Sequence, residues 1–317
     1  MTRIAARKLS SSRAPRTAIP AKSRRLLIVP IVVAFAPHLC AWGPTGHRVV
    51  AEIAQRHLRP AAREHVTRLL GGRSLADVVN WPDELRSDPR FDKYKPLHFA
   101  TVPDGIKSYR DSRKEKCGDL VVAIGALSKF LATGSRDDLF TVKALTDKTD
   151  GTGKGACNPR ETDPITPDTA LRLLAHFVGD LHEPLHVGGT DLGGNKVRVS
   201  WLNRWQSSLH SIWDDEMVDY ERLGYMEYAQ FLDRVSDEDV ARWQTGDVIA
   251  WADEAVAMRA RLYAFVDDRR PFAPPSADAP AVSYLISYGY ISAQRDRMRE
   301  QLLKGGLRLA SVLNAFN

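Results

Sequence analysis

Residues 176–186 run His176-Phe177-Val178-Gly179-Asp180-Leu181-His182-Glu183-Pro184-Leu185-His186, an apolar helical face that carries imidazoles and carboxylates and meets a proline. Upstream, Thr166-Pro167-Asp168 has the form of a capped helix start with an early proline. From there Leu171, Leu174, Phe177, Val178 and Leu181 keep helical spacing up to Pro184, which ends the run. On such a helix His176 and Asp180 project from one face about a turn apart, so an imidazole nitrogen and a carboxylate oxygen can close on one ion. His186 lies past the break and can face a different ion.

Outward from this helix the same period recurs. Val49, Val50, Ile53, Ala54 and Leu58 follow Gly46 at helical spacing, and Leu120, Ile124, Leu127, Lys129 and Leu131 suggest another helix after Cys117. Further helices are expected near 203–213, 246–266 and 284–314, and the best alternating pattern is 196–201. The expected class is all-α: a single compact multi-helix domain with at most one small β-hairpin. Two segments, 145–166 and the proline-rich 268–282, are expected to be loops.

The first 41 residues have a different composition. A basic start through Arg24 and Arg25, an apolar stretch over 26–39, and Ala41 before Trp42 follow the order of a secretion signal. The apolar stretch is interrupted by Pro30 and Pro37 and falls short of the roughly 20 residues that span a bilayer, which disfavours a retained anchor. Ser23-Arg24-Arg25-Leu26-Leu27 also fits a twin-arginine export signal. The expectation is removal of 1–41, delivery outside the cell or to the periplasm, and one domain over 42–317. The formal charge of +6 belongs to that leader: it holds eight Lys or Arg and no acid, so 37 bases remain against 39 acids. Overall basicity is therefore excluded as a source of nucleic-acid or anionic-membrane affinity. Without Cys40, Cys117 and Cys157 remain; an oxidising compartment favours a disulfide between them over two free thiols. Such a bridge is worth about 4 kcal/mol in the chain-entropy model.

A second cluster, His210-Ser211-Ile212-Trp213-Asp214, repeats the four-residue His/Asp spacing. Two further candidates lie upstream, Asp83 in Asn80-Trp81-Pro82-Asp83-Glu84-Leu85-Arg86 and His98 in Lys95-Pro96-Leu97-His98-Phe99. Alone, Asp83 reads equally as a helix cap and His98 as a hydrogen-bonded core histidine. One His/Asp pair is weak; two pairs plus His186, among the eight histidines of 42–317, form a pattern.

Taken in order, Trp42, His47, Asp83, His98, His176, Asp180, His186, His210 and Asp214 resemble the ligand set of the secreted zinc-dependent nucleases specific for single strands, the mung bean nuclease and plant bifunctional nuclease type, whose wider superfamily includes zinc phospholipase C. The resemblance covers nearly all of 42–317 and implies three zinc ions. The first would take Asp83, His98, His176 and Asp180; the second the amine and carbonyl of Trp42 at a new terminus, His47 and a shared Asp180; the third His186, His210 and Asp214. It further implies a hydroxide nucleophile, 5′-phosphate products, and RNA, single-stranded DNA and 3′-nucleotides as substrates. Arg86 would neutralise charge in the transition state and Phe99 would stack on the substrate base, against the plainer readings of a surface ion pair and a core phenylalanine. The resemblance implies no protein partner and no stable membrane association, and a monomer is expected.

There are departures. Fungal members carry an acidic residue two positions after the stacking aromatic, where this chain has Thr101 with Asp104 further on; some have asparagine two positions after the last zinc aspartate, where it has Glu216. Two alternatives stand beside a nuclease: a zinc phospholipase C of the same fold, disfavoured by Asp214 and Phe99, and a non-catalytic zinc-binding protein. His182 is read as structural, His57 and His65 as exposed helix residues, and Trp81, Trp201, Trp205 and Trp213 as core.

Overall fold

Helix α1, Pro44–Arg56, begins with proline in its first turn and buries Val49, Val50, Ile53 and Ala54 on one face. Full burial of each larger aliphatic contributes about 1.5–3 kcal/mol. That face meets the longest helix, α12 (Tyr288–Leu313), and their backbones approach closely because of one glycine: a Cβ on Gly306 would lie 2.5 Å from Ile53 Cβ.

The computed structural model describes residues 42–114, 118–135, 165–264 and 284–316. After α1 come α2 (Pro60–Leu69), α3 (Leu75–Val78) and α4 (Trp81–Glu84), then 3-10 turns at Leu85–Ser87 and Pro89–His98 leading into β1 (Ala100–Thr101). Helix α5 (Leu120–Thr133) is capped by Asp119, whose carboxylate accepts from the amides of Val121 and Val122. Helix α6 (Pro167–Leu181) starts at Thr166, whose hydroxyl accepts from Thr169 N, and every residue from Ala170 to Leu181 is buried. A helix enclosed on all sides sits inside the domain rather than on its surface. It is flanked by α1 and α5, which is why His176 and Asp180 are in the interior.

Past α6, a 3-10 turn at Pro184–His186 runs into β2 (Val187–Gly188), which pairs in parallel with β1. The register Ala100↔Val187 lays the segment after His98 beside the segment after His186. Strands β3 (Arg198–Trp201) and β4 (Trp205–Ser208) form an antiparallel hairpin, followed by α7 (Leu209–Ser211), a π turn at Ile212–Glu216 and α8 (Met217–Asp219). Helices α9 (Tyr225–Leu232), α10 (Asp237–Trp243) and α11 (Val248–Leu262) follow, and β5 (Tyr284–Ile286) joins β3 in parallel ahead of α12.

The protein is all-α with small sheets, as expected, but its strands exceed one hairpin. The stretches 203–213 and 284–314, expected to be helical, open with β4 and β5 because hydrogen bonds to β3 outweigh local helical tendency there. Among the described residues no helix is long and apolar enough to cross a membrane. The expected leader and both cysteines, Cys117 and Cys157, lie outside the described residues, as does most of the two expected loops.

Candidate metal centre

Four helical segments, α1, α4, the 3-10 turn at Pro89–His98 and α6, bring five of the expected ligands together. His176 Nε2 lies 3.5 Å from Asp83 Oδ1 and 3.6 Å from Asp180 Oδ1. His47 Nε2 is 3.3 Å from the same Asp180 oxygen, and His98 Nε2 is 3.7 Å from Asp83 Oδ1. The His47 and His176 rings stack with centroids 3.9 Å apart. His47, Asp83 and His176 form one set able to hold an ion, and His98, His176 and Asp180 another. Asp83 is not a helix cap: Asn80 occupies the cap position of α4, and no side chain caps it.

A glycine makes this approach possible. A Cβ on Gly179 would lie 2.7 Å from His47 Nδ1, so only glycine on that face of α6 lets α1 bring its imidazole to Asp180.

The second group lies past the helix break. His186 Nε2 is 3.8 Å from Asp214 Oδ1, His210 Nε2 is 3.5 Å from Asp214 Oδ2, and the two rings stack at 4.8 Å. Glu183 belongs to the same group. The main chain of Gly43 donates to Asp214 O at 2.7 Å, which seats the buried Trp42 against the turn that carries this group.

Four of the imidazoles are oriented alike. Nδ1–H donates to a backbone carbonyl in each: His98 to Tyr94 O at 2.9 Å, His176 to Val79 O at 2.8 Å, His186 to His98 O at 2.6 Å and His210 to Gly193 O at 2.8 Å. This fixes the tautomer and turns each Nε2 lone pair toward the carboxylates, the arrangement that metal-ligating histidines use. Burial, together with the neighbouring His176, holds His47 well below the usual imidazole range and brings His98 down to about 3, so both present neutral nitrogens. Burial opposes protonation of His176, but the Asp180 and Asp83 carboxylates outweigh it and raise its pKa.

Both nitrogens of His47, Nε2 of His98 and of His176, and both oxygens of Asp180 are buried without a hydrogen-bond partner among the described residues. Each such atom costs on the order of 1–3 kcal/mol if left so. Their convergence is accounted for by a divalent cation, and the mixture of imidazole nitrogen and carboxylate oxygen suits one.

Around these groups the other expected site residues take clear places. Arg86 pairs with Asp83 Oδ1, which sets its guanidinium beside the first group. Phe99 is 36% exposed and follows His98 at the rim, so the core reading of this ring does not hold. Thr101 is half-buried two residues on, while Asp104 is engaged elsewhere, accepting from Thr190 Oγ1 at 2.7 Å and lying 3.7 Å from Arg259.

His182 is structural, as expected. Its Nδ1 donates to Val178 O at 2.7 Å, its Nε2 accepts from Arg308 at 3.0 Å, and Arg308 in turn pairs with Glu254 at 2.6 Å. Burial and the Arg308 guanidinium lower the His182 pKa to about 3. His57 and His65 are half-buried rather than exposed, His57 bonding to Asp233 at 2.7 Å. Of the four tryptophans, Trp201 and Trp213 are core and Trp81 packs against it. Trp205 is 45% exposed because it stands on the edge strand β4, its indole N–H donating to Glu216 at 3.2 Å. Glu183, Gly179 and the four carbonyl supports are the parts that sequence reasoning missed. Glu183 carried a signal, three residues before His186 across a proline; a backbone carbonyl carries none.

A model of the S1/P1 nuclease family matches residues 42–317. Endonuclease 3 of Arabidopsis thaliana is 29% identical over 296 residues, 87% of this chain and 88% of that protein. Nuclease P1 of Penicillium citrinum is 26% identical over 298 residues, 87% and 98% of the two chains. Nuclease S1 of Aspergillus oryzae is 28% identical over 211 residues, 64% and 63%.

Proposed function

The chain belongs to the S1/P1 nuclease family, and on that footing we propose that it is an exported enzyme with three zinc positions that cuts RNA and single-stranded DNA to 5′-phosphate products and removes phosphate from 3′-nucleotides. It is a metal-dependent endonuclease, a hydrolase of phosphodiester bonds that acts on single-stranded nucleic acids.

The observation that carries the reading is the convergence of buried, unpartnered nitrogens and oxygens from His47, His98, His176 and Asp180. In this reading Asp83, His98, His176 and Asp180 hold one zinc. The amine and carbonyl of Trp42, with His47 and a shared Asp180, hold its neighbour; His186, His210 and Asp214 hold the third. Zinc bound there supplies Lewis acidity toward phosphate oxygens and brings the pKa of water toward neutrality. The protein's own contribution is positional and electrostatic. The carbonyls of Tyr94, Val79, His98 and Gly193 fix the imidazoles, and Arg86 places a guanidinium where a phosphate group gathers negative charge. Phe99 offers its exposed ring to a base, a contact open only to bases unstacked from a duplex. Removal of residues 1–41 would turn the nitrogen of Trp42 from an amide into an amine, and Trp42 is buried two residues ahead of the helix that carries His47.

Protein beginning at Trp42 and loaded with zinc is to be assayed on single-stranded DNA, RNA, 3′-AMP and phosphatidylcholine, with chelator controls. Chelator-sensitive cleavage of both nucleic acids to 5′-phosphate ends is the expected result. Hydrolysis of phosphatidylcholine without nucleic-acid cleavage would overturn the reading.

A further inference from the structure

We propose that Glu183 is a fourth protein ligand of the metal position formed by His186, His210 and Asp214, which is thereby closed by two imidazoles and two carboxylates. The inference rests on the metal reading above and adds a residue to it.

Glu183 is fully buried, at 0% exposure. One of its oxygens, Oε2, accepts from the amide of His186 at 3.0 Å and caps the 3-10 turn Pro184–His186. The other, Oε1, is buried without a hydrogen-bond partner. The cap explains one oxygen and leaves the second without a local purpose. The carboxylate has company: Glu183 offers a ligand atom within 4.8 Å of those of His186, His210 and Asp214, and its Oε2 is 4.0 Å from His186 Nε2. Its backbone is held rigidly as well, since Glu183 N donates to Asp180 O at 3.0 Å at the end of α6.

Charge points the same way. Glu183 and Asp214 are two buried carboxylates in one group, and Glu183 forms no ion pair with a lysine or arginine among the described residues. Burying like charges together is costly unless a cation lies between them. A divalent ion bound by both carboxylates would be neutralised by them. Four protein ligands make a site of the closed type, so a substrate oxygen would join this ion only by expansion to five ligands.

The direct test is a crystal structure of the zinc-saturated protein beginning at Trp42, with zinc located by anomalous scattering. An ion at this position with a carboxylate oxygen of Glu183 about 2.0–2.2 Å away is the expected result. A filled position with both Glu183 oxygens beyond about 3 Å overturns the inference and leaves the three-zinc reading intact. An empty position in the saturated protein overturns both. Glu183→Gln keeps an acceptor for the His186 amide and removes the charge. In chelator competition with zinc alone, one ion of the variant should bind at least about tenfold more weakly, with the other two unchanged. Native affinity for all three would overturn the inference.

Discussion

The two ligand groups use the same residue types on different supports. His47, His176 and Asp180 stand on the long helices α1 and α6, fixed by core packing and by the close approach that Gly179 permits. His186, His210 and Asp214 stand on a 3-10 turn, a three-residue helix and a π turn, none of which holds a position by itself. Backbone hydrogen bonds from other segments hold them, His98 O and Gly193 O on the imidazoles and Gly43 N on Asp214 O, as Val79 O also does for His176 in the first group. Between the long helices the missing side chain of Gly179 admits His47, whereas the short segments of the second group rely on ties from outside. The bond from His186 to His98 O also joins the groups, because His98 belongs to the first.

The largest effect that would sharpen this contrast is expected from Asp180→Asn. The carboxylate faces both His47 and His176, so its loss should empty two zinc positions and reduce turnover by at least about 100-fold, more than loss of a supporting residue costs. Zinc content by atomic emission should fall by two, against a fall of one for Asp214→Asn. Native zinc content and turnover in Asp180→Asn would refute its shared role.

A protein carrying one extra residue before Trp42 should lose a single zinc and most activity while its other ions stay. Full activity with every zinc retained would remove Trp42 from the ligand set.

Gly179→Ala is expected to have the smallest effect and the most diagnostic one. Helix propensity alone would stabilise α6 by up to about 1 kcal/mol. The added Cβ would stand 2.7 Å from His47 Nδ1, so the imidazole must move. Zinc affinity in the first group should drop about 10-fold, within the range for a disturbed ligand orientation, with the His186 group unaffected. Equal loss in both groups would break the separation drawn here.

Much of this architecture was legible because it is local. The start of α6 at Thr166 and its stop before Pro184 are written in adjacent residues, and so is the turn that separates His186 from His176. Strand β5 was not legible, since it forms by pairing with β3 more than 80 residues earlier, inside a stretch whose apolar spacing suits a helix. Trp205 failed for a related reason. Directly across the hairpin from it, Trp201 is buried, and only the position of β4 at the sheet edge exposes one ring while covering the other.

By itself the sequence determined the helical class, the two His/Asp pairs and the place of His186 past the proline, because caps, prolines and four-residue spacings act over a single turn; Trp42, His47, Asp83 and His98 entered the ligand set through the family resemblance. Tertiary structure alone decided that Glu183 joins the second group, that Gly179 makes room for His47, and that backbone carbonyls orient four imidazoles. Apart from His98 on Tyr94 O and Glu183 beside His186, those contacts join atoms well separated along the chain, and a carbonyl is the same on every residue, so only packing could select which one meets each ring.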